Sequence, residues 1–238
     1  MTQRFDLVEG VAAGLEDRAA AWWFVQDFAE HWAVPLGDGD GWTEADLAAA
    51  EERLGLRLPA ALREAYGLFG RRSDLTAQHH ALLGPAALHL DEDGRVLVLR
   101  HGNQDAAAWG VGLDELHRPD PAVLYSRGGD WQPWLDRLSV ALVELVLSES
   151  LHAPADRSDL LEPLDDAALR TVEQQYVQLP FPDYPVFAAP HGSRWFAGDE
   201  VLLREDAGGP LYARARTPEA LADLRKTLPG DWLNADGA

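Results

Sequence analysis

Between Glu44 and Gly70 the chain carries two helical patterns divided by Leu58-Pro59, and this break constrains the fold more than any other feature. Thr43 suits the N-cap position of the first helix, and Asp46 three residues later can close a capping box. Leu47, Ala50 and Leu54 recur at helical spacing, and Gly55 supplies a stop. Glu51 falls inside that same apolar stripe. A carboxylate there must find a donor, because burying an unpaired charge is costly. Arg53 and Arg57 are near in sequence, and partners from the rest of the fold are equally admissible. Leu58 is extended, as expected before proline, and Pro59 opens the second helix at its first turn. That helix buries Leu62, Tyr66 and Phe69 and stops at Gly70.

On either side of this pair the pattern changes. Residues 15–32 predict one helix crowded with aromatics, with apolar groups on nearly every side from Trp22 to Phe28. Such a helix packs between layers of its own chain or offers an aromatic face to a partner. After Gly70, LHLDEDGRVLVLRH predicts two strands joined by a turn at 92–94, and AAAWGVGL and PAVLYS predict two more. GGDWQPW predicts a turn into a long helix over about 133–150, with Leu135, Leu138, Leu142, Leu145 and Val146 inward. Ser139 shares that face, where a small residue permits close packing with its hydroxyl bonded back to the helix. Beyond residue 152 the composition turns polar and predicts a linker with a short helix, then an extended LPFPDYPVFAAP. SRWFAGDEVLLRED and GPLYARAR predict strands, and TPEALADLRKTL a final helix with Thr217 as N-cap.

Composition narrows the function. The chain has 238 residues, enough to bury on the order of 70% of its unfolded surface. It has no cysteine, which excludes disulfides, cysteine-ligated zinc and cysteine nucleophiles. The N-terminus lacks the basic flank and apolar run of a signal peptide, and no stretch is long enough to span a bilayer, so a soluble cytoplasmic protein is expected. With 40 acids against 20 bases, the net charge of −20 disfavours direct contact with nucleic acid or an anionic membrane. It favours a basic partner.

No chemical signature stands out. Nucleotide-binding glycine motifs, H-E-x-x-H and G-x-S-x-G are all missing from the sequence. Asp-x-Asp-Gly at 38–41 and 91–94 lacks the remaining calcium ligands. The adjacent His79 and His80 are expected to point to different sides, which makes them poor joint metal ligands. No catalytic residue, metal site or cofactor is predicted.

The ordered features of residues 42–150 resemble the SUKH superfamily. The matching elements are the helix with Glu51, Leu54-Gly55, Leu58-Pro59, the Gly70 stop, Asn103-Gln104, Trp109-Gly110, Asp120-Pro121-x-Val123, and Trp131 and Trp134 before a helix carrying Ser139. Gly102 departs from the pattern, since relatives often carry an acid there. The resemblance implies an α+β fold, with helices packed around a curved, largely antiparallel sheet. Around it the sequence places an N-terminal aromatic-rich helical extension (1–38), the SUKH-like domain itself (39–152), and a linker with a small C-terminal β-β-α extension (153–238).

The resemblance implies a non-enzymatic binding module, an immunity protein that occludes a toxin domain such as a nuclease. A regulatory scaffold is the alternative, and a small hydrolase using His101 or His117 a third. Residues 38–52 hold six acids and no base, so Asp38, Asp40, Glu44, Asp46 and Glu52 are the expected partner surface. Trp42, Glu51, Leu58, Pro59, Asn103, Trp109, Asp120, Pro121, Trp131 and Ser139 are the expected pocket or family-motif positions.

Overall fold

Asp17 divides the N-terminal helical segment in two. In the computed structural model, which describes residues 5–185, 192–206 and 209–234, α1 (Leu7–Glu16) ends at Asp17 and α2 (Arg18–Trp32) begins after it. Asp17 is extended, and its carboxylate accepts the Ala20 N–H at 2.9 Å while its own N–H closes α1 on Ala13. The helix expected over 15–32 is thus present as α2, beginning three residues later because an aspartate caps a new helix better than it continues an old one, and α1 precedes it.

The helix pair read from the sequence is present as α3 (Glu44–Leu54) and α4 (Ala60–Phe69). The Thr43–Asp46 capping box forms, and Gly55 takes the left-handed conformation at φ 68°. Pro59 is the N-cap of α4 rather than its first helical residue. A short α5 (Ser73–Thr76) follows.

The first sheet is antiparallel. Its strands are β1 (Ala81–Leu82), β2 (His89–Leu90), β3 (Val96–His101), β4 (Ala108–Gly112), β5 (Val123–Ser126) and β6 (Gln132–Leu135). The order is β1-β3-β4-β5-β6, with β2 also paired to β3. The helix expected from residue 133 starts later, as α6 (Leu138–Ser150), and Leu135 belongs to β6. Pro133 sits opposite Leu124 in the pairing, which is tolerated because β6 is an edge strand.

All 13 residues of α6 are buried, so the one inward face expected of it is replaced by burial on every side. It packs against α1, α2, α4 and α5. Its remaining side meets a second antiparallel sheet, β7 (Ser158–Leu161), β8 (Val177–Gln178), β9 (Ser193–Ala197), β10 (Val201–Asp206) and β11 (Leu211–Ala215), in the order β7-β11-β10-β9-β8. The C-terminal part is thus larger than the β-β-α unit expected, since β7 and β8 fall where the sequence predicts a linker. Strand alternation divides the second sheet. Trp195, Ala197 and Leu202 join the main core, whereas Phe196, Val201, Leu203 and Leu211 form a second core under α7 (Asp166–Gln175) and α8 (Pro218–Thr227). Residues 179–185 run between β8 and β9 without helix or strand and bury Tyr184. The rest of the extended segment expected up to Pro190 lies outside the described residues. Among those described, no helix is long and apolar enough to cross a membrane.

Candidate functional site

Glu51 lies at the α3–α4 junction with every donor it needs. Oε1 accepts the Leu58 N–H at 2.9 Å and Arg63 Nη1 at 2.8 Å, and Oε2 accepts Arg57 Nη1 at 2.9 Å. Burial pushes its pKa up, but the Leu58 N–H and the two guanidinium groups outweigh it and hold the carboxyl below the usual range. Of the arginines near in sequence, Arg57 is a partner, whereas Arg53 donates to the carbonyls of Pro85 and Leu88. Leu58 and Pro59 are both buried at this junction.

The acids expected to form one surface are divided. Asp38 and Glu52 are exposed. Asp40 accepts the Gly37 N–H at 2.8 Å and pairs with Arg72 at 3.1 Å. Glu44 pairs with Arg63, and Asp46 closes the Thr43 capping box. Trp42 packs beside this segment, donating from Nε1 to the Gly70 carbonyl at 3.1 Å.

Asp120 and Ser139 form the start of α6. Asp120 accepts the Ser139 N–H at 2.8 Å, the Ser139 hydroxyl at 2.6 Å and Arg137 Nε at 2.9 Å. The hydroxyl expected to bond back to its own helix goes to Asp120 instead, because a carboxylate near a helix N-terminus is a stronger acceptor there than an already bonded carbonyl. Pro121 is buried next to it.

Trp131 stands at an open cleft of about 670 Å³ formed by the β2–β3 and β5–β6 turns. Asp91, Glu92, Asp93, Asp114 and Asp130 line it. Trp131 donates from Nε1 to Asp91 at 3.0 Å, and Arg95 pairs with Asp93 at 2.5 Å.

A second site, in which Trp109 is the one lining residue expected from the sequence as a pocket position, occupies the seam between α6 and the two sheets. Glu149 on α6 accepts the backbone N–H groups of His79 at 2.6 Å and His80 at 3.1 Å, and Arg100 Nη2 at 2.8 Å. Glu144, five residues earlier on the helix, lies 3.4 Å from Arg100 Nη1 and accepts the Tyr184 hydroxyl at 3.1 Å. From the second sheet, Arg204 donates to Ser148 at 2.5 Å and to Asp206 at 3.3 Å. The rings close around these groups. Arg100 lies over Trp109 at 4.5 Å, Arg204 over Tyr212 at 4.7 Å, and His79 stacks on His152 at 4.1 Å. Together they enclose a cavity of about 70 Å³.

His79 and His80 do not point apart as expected. Their rings are 4.5 Å from each other and line this one cavity. Residues 77–80 are neither strand nor helix, so no alternation separates them. Asn103 is exposed, and its N–H donates to His80 Nδ1 at 3.0 Å. Burial, then Arg100, holds the His80 pKa down at about 2. Burial, then His79, Arg204 and Arg100, holds His152 at about 3. Glu144 moves the other way, because burial outweighs the attraction of both arginines and favours its uncharged form. No group of three or more histidines and acids among the described residues is arranged to hold a metal ion.

Arg100, Glu144, Glu149, Arg204 and Asp206 were missed by sequence reasoning. Their signal was a charge within an otherwise buried apolar run, as in VLVLRH, VALVELVLSES and VLLRED. His101 and His117, named for a hydrolase, lie elsewhere: His101 is 3.3 Å from Asp105, and His117 contacts the Asp114 carbonyl at 2.7 Å. Neither lines the seam cavity. Comparison with protein-family models, curated proteins and solved structures finds no match for this chain.

Proposed function

We propose that the chain is a non-enzymatic binding module for a basic protein partner, with the SUKH-like helices and first sheet as its frame. The carrying observation is the cleft beside Trp131, where five acids surround an indole and Arg95 is already paired. Negative charge of that density steers a basic face toward the cleft, and a partly exposed tryptophan provides an anchor once it arrives. The proposed mechanism is occlusion. A toxin domain whose active face is basic, as in a nuclease, would be covered rather than chemically altered.

The test begins with affinity capture of the tagged chain from its native lysate at low and high salt, followed by association kinetics with the recovered partner. Reversing Glu92 and Asp93 to lysine should slow association and flatten its salt dependence, because both are exposed at a turn. A matching reversal of Glu44, Asp46 and Glu52 tests the α3 face in parallel. Kinetics indifferent to both sets would remove the acidic surface from the mechanism, and turnover of a substrate by the purified chain would overturn the binding-module reading itself.

A further inference from the structure

Residues that line the seam cavity carry donors that the protein leaves unused. Arg100 Nε and Trp109 Nε1 are buried and have no hydrogen-bond partner among the described residues. Arg204 Nε lies 3.1 Å from Asp206 Oδ1 but off the direction of a hydrogen bond. These three side chains line the cavity and are 3%, 5% and 8% exposed for Arg100, Trp109 and Arg204. The carboxylates beside them are engaged, Glu149 by Arg100 and two backbone N–H groups, Asp206 by Ser193 and Arg204, and Glu144 by Tyr184 and Arg100. Buried donors without acceptors call for an acceptor, since native structures pair such groups.

Charge and size define it further. Two guanidinium groups reach the cavity beside Glu144 and Asp206, with which they are already paired, and each keeps its Nε without a hydrogen-bond partner; Arg side chains pair edge-on with planar, Y-shaped anions. The imidazoles of His79, His80 and His152 stand around them. The volume of about 70 Å³ equals roughly two waters of liquid. That suits an anion of about three or four heavy atoms and excludes a nucleotide or a sugar. His79 is exposed, which opens the cavity to solvent on that side.

We propose that this cavity binds a small planar oxyanion, a carboxylate or bicarbonate, held by Arg100 Nε and Trp109 Nε1 between α6 and the second sheet. The anion enters past His79 and ties the two sheets together more firmly. This site is independent of the acidic cleft and of the partner proposed for it.

The full chain should be titrated with formate, acetate and bicarbonate against chloride at matched ionic strength, following the histidine ring signals by NMR and the thermal midpoint. Saturable shifts of His79, His80 and His152 are expected, with a midpoint that rises with anion concentration. Formate and acetate acting together would mark a carboxylate site, and bicarbonate acting alone a carbonate site. Trp109→Phe keeps the ring and removes the donor, so it should weaken binding by roughly tenfold. Equal affinity in that variant would place the anion elsewhere and overturn the assignment. A size series on the unaltered chain needs no variant: butyrate and benzoate should fail to compete, and competition by either would also overturn it. No response beyond chloride would leave the cavity to water.

Discussion

Arg204 on β10 donates from Nη1 to the hydroxyl of Ser148 on α6 at 2.5 Å, while Arg100 on β3 reaches Glu149 on the same helix at 2.8 Å. One arginine from each sheet therefore grips the central helix, about one residue apart along it. All four side chains are buried, so the helix is held by charge-assisted bonds inside an otherwise apolar environment. Such bonds are costly to break singly, because the remaining partner stays buried and unpaired.

Glu51→Ala should lower stability by about 3 kcal/mol, since it strands the Leu58 N–H and Arg63 at a buried junction. Arg57→Ala should cost under about 1 kcal/mol, because that side chain is 90% exposed. Urea midpoints of the two variants check the contrast. Equal losses would mean that Glu51 is held by its exposed partner rather than by the backbone and Arg63.

Ser139→Ala should cost about 1–2 kcal/mol and Asp120→Ala more, since the carboxylate serves the Ser139 N–H, its hydroxyl and Arg137 together. Hydrogen exchange at the first turn of α6 should rise in both variants. Exchange confined to later turns would contradict the capping role.

Stability should decline as the pH falls below about 6.5, before carboxylates begin to titrate. Unfolded histidines take up a proton near that value, whereas His80 and His152 resist it in the fold, down to about 2 and about 3. The unfolded chain then binds more protons, so acid favours it. The limiting slope is about 1.4 kcal/mol per pH unit for each such histidine. Glu144, Arg100, Arg204, Asp206 and Tyr212 face the cluster from α6 and both sheets. Urea midpoints in carboxylate-free chloride buffers measure the decline, and His152→Phe should remove one histidine's share. A midpoint that stays level from about pH 7 to about pH 5 would show that both imidazoles accept protons in place.

Trp22 and Trp23 should behave as opposites despite being neighbours. Trp22 is 8% exposed, packs tilted against Phe69 and donates to Glu64 at 2.7 Å, so Trp22→Ala should cost about 3–5 kcal/mol. Trp23 is 65% exposed, and Trp23→Ala should change stability by less than about 0.5 kcal/mol. Thermal midpoints distinguish them, and a large loss at Trp23 would point to an interface that the isolated chain conceals.

Local chemistry was the legible part of the sequence. The Thr43–Asp46 box, Gly55, the α3–α4 break and the strands of the hairpin at 89–101 are written in caps, turns and periodicity that act within a few residues. The N-cap at Asp17 carried the same kind of signal, but Leu15 at helical spacing before the aromatic run from Trp22 suggested that the helix began earlier. β7 and the seam were not legible. SDLL is too short and polar to announce a strand, and it forms one because Leu161 opposes Leu211 across a sheet assembled 50 residues later. Arg100, Glu144 and Arg204 come together across three elements, and sequence spacing contains nothing of that distance.

The complete burial of α6 makes the chain difficult to cut. A fragment ending at residue 152 would present Glu144, Ser148 and the apolar groups that pack on Trp195 and Leu202 to water, and the fragment after it would lose the surface against which β9 and β10 close. The two sheets therefore constitute one cooperative unit whose melting is expected in a single transition. Any site in the seam inherits that property, because disturbing it loosens both halves at once.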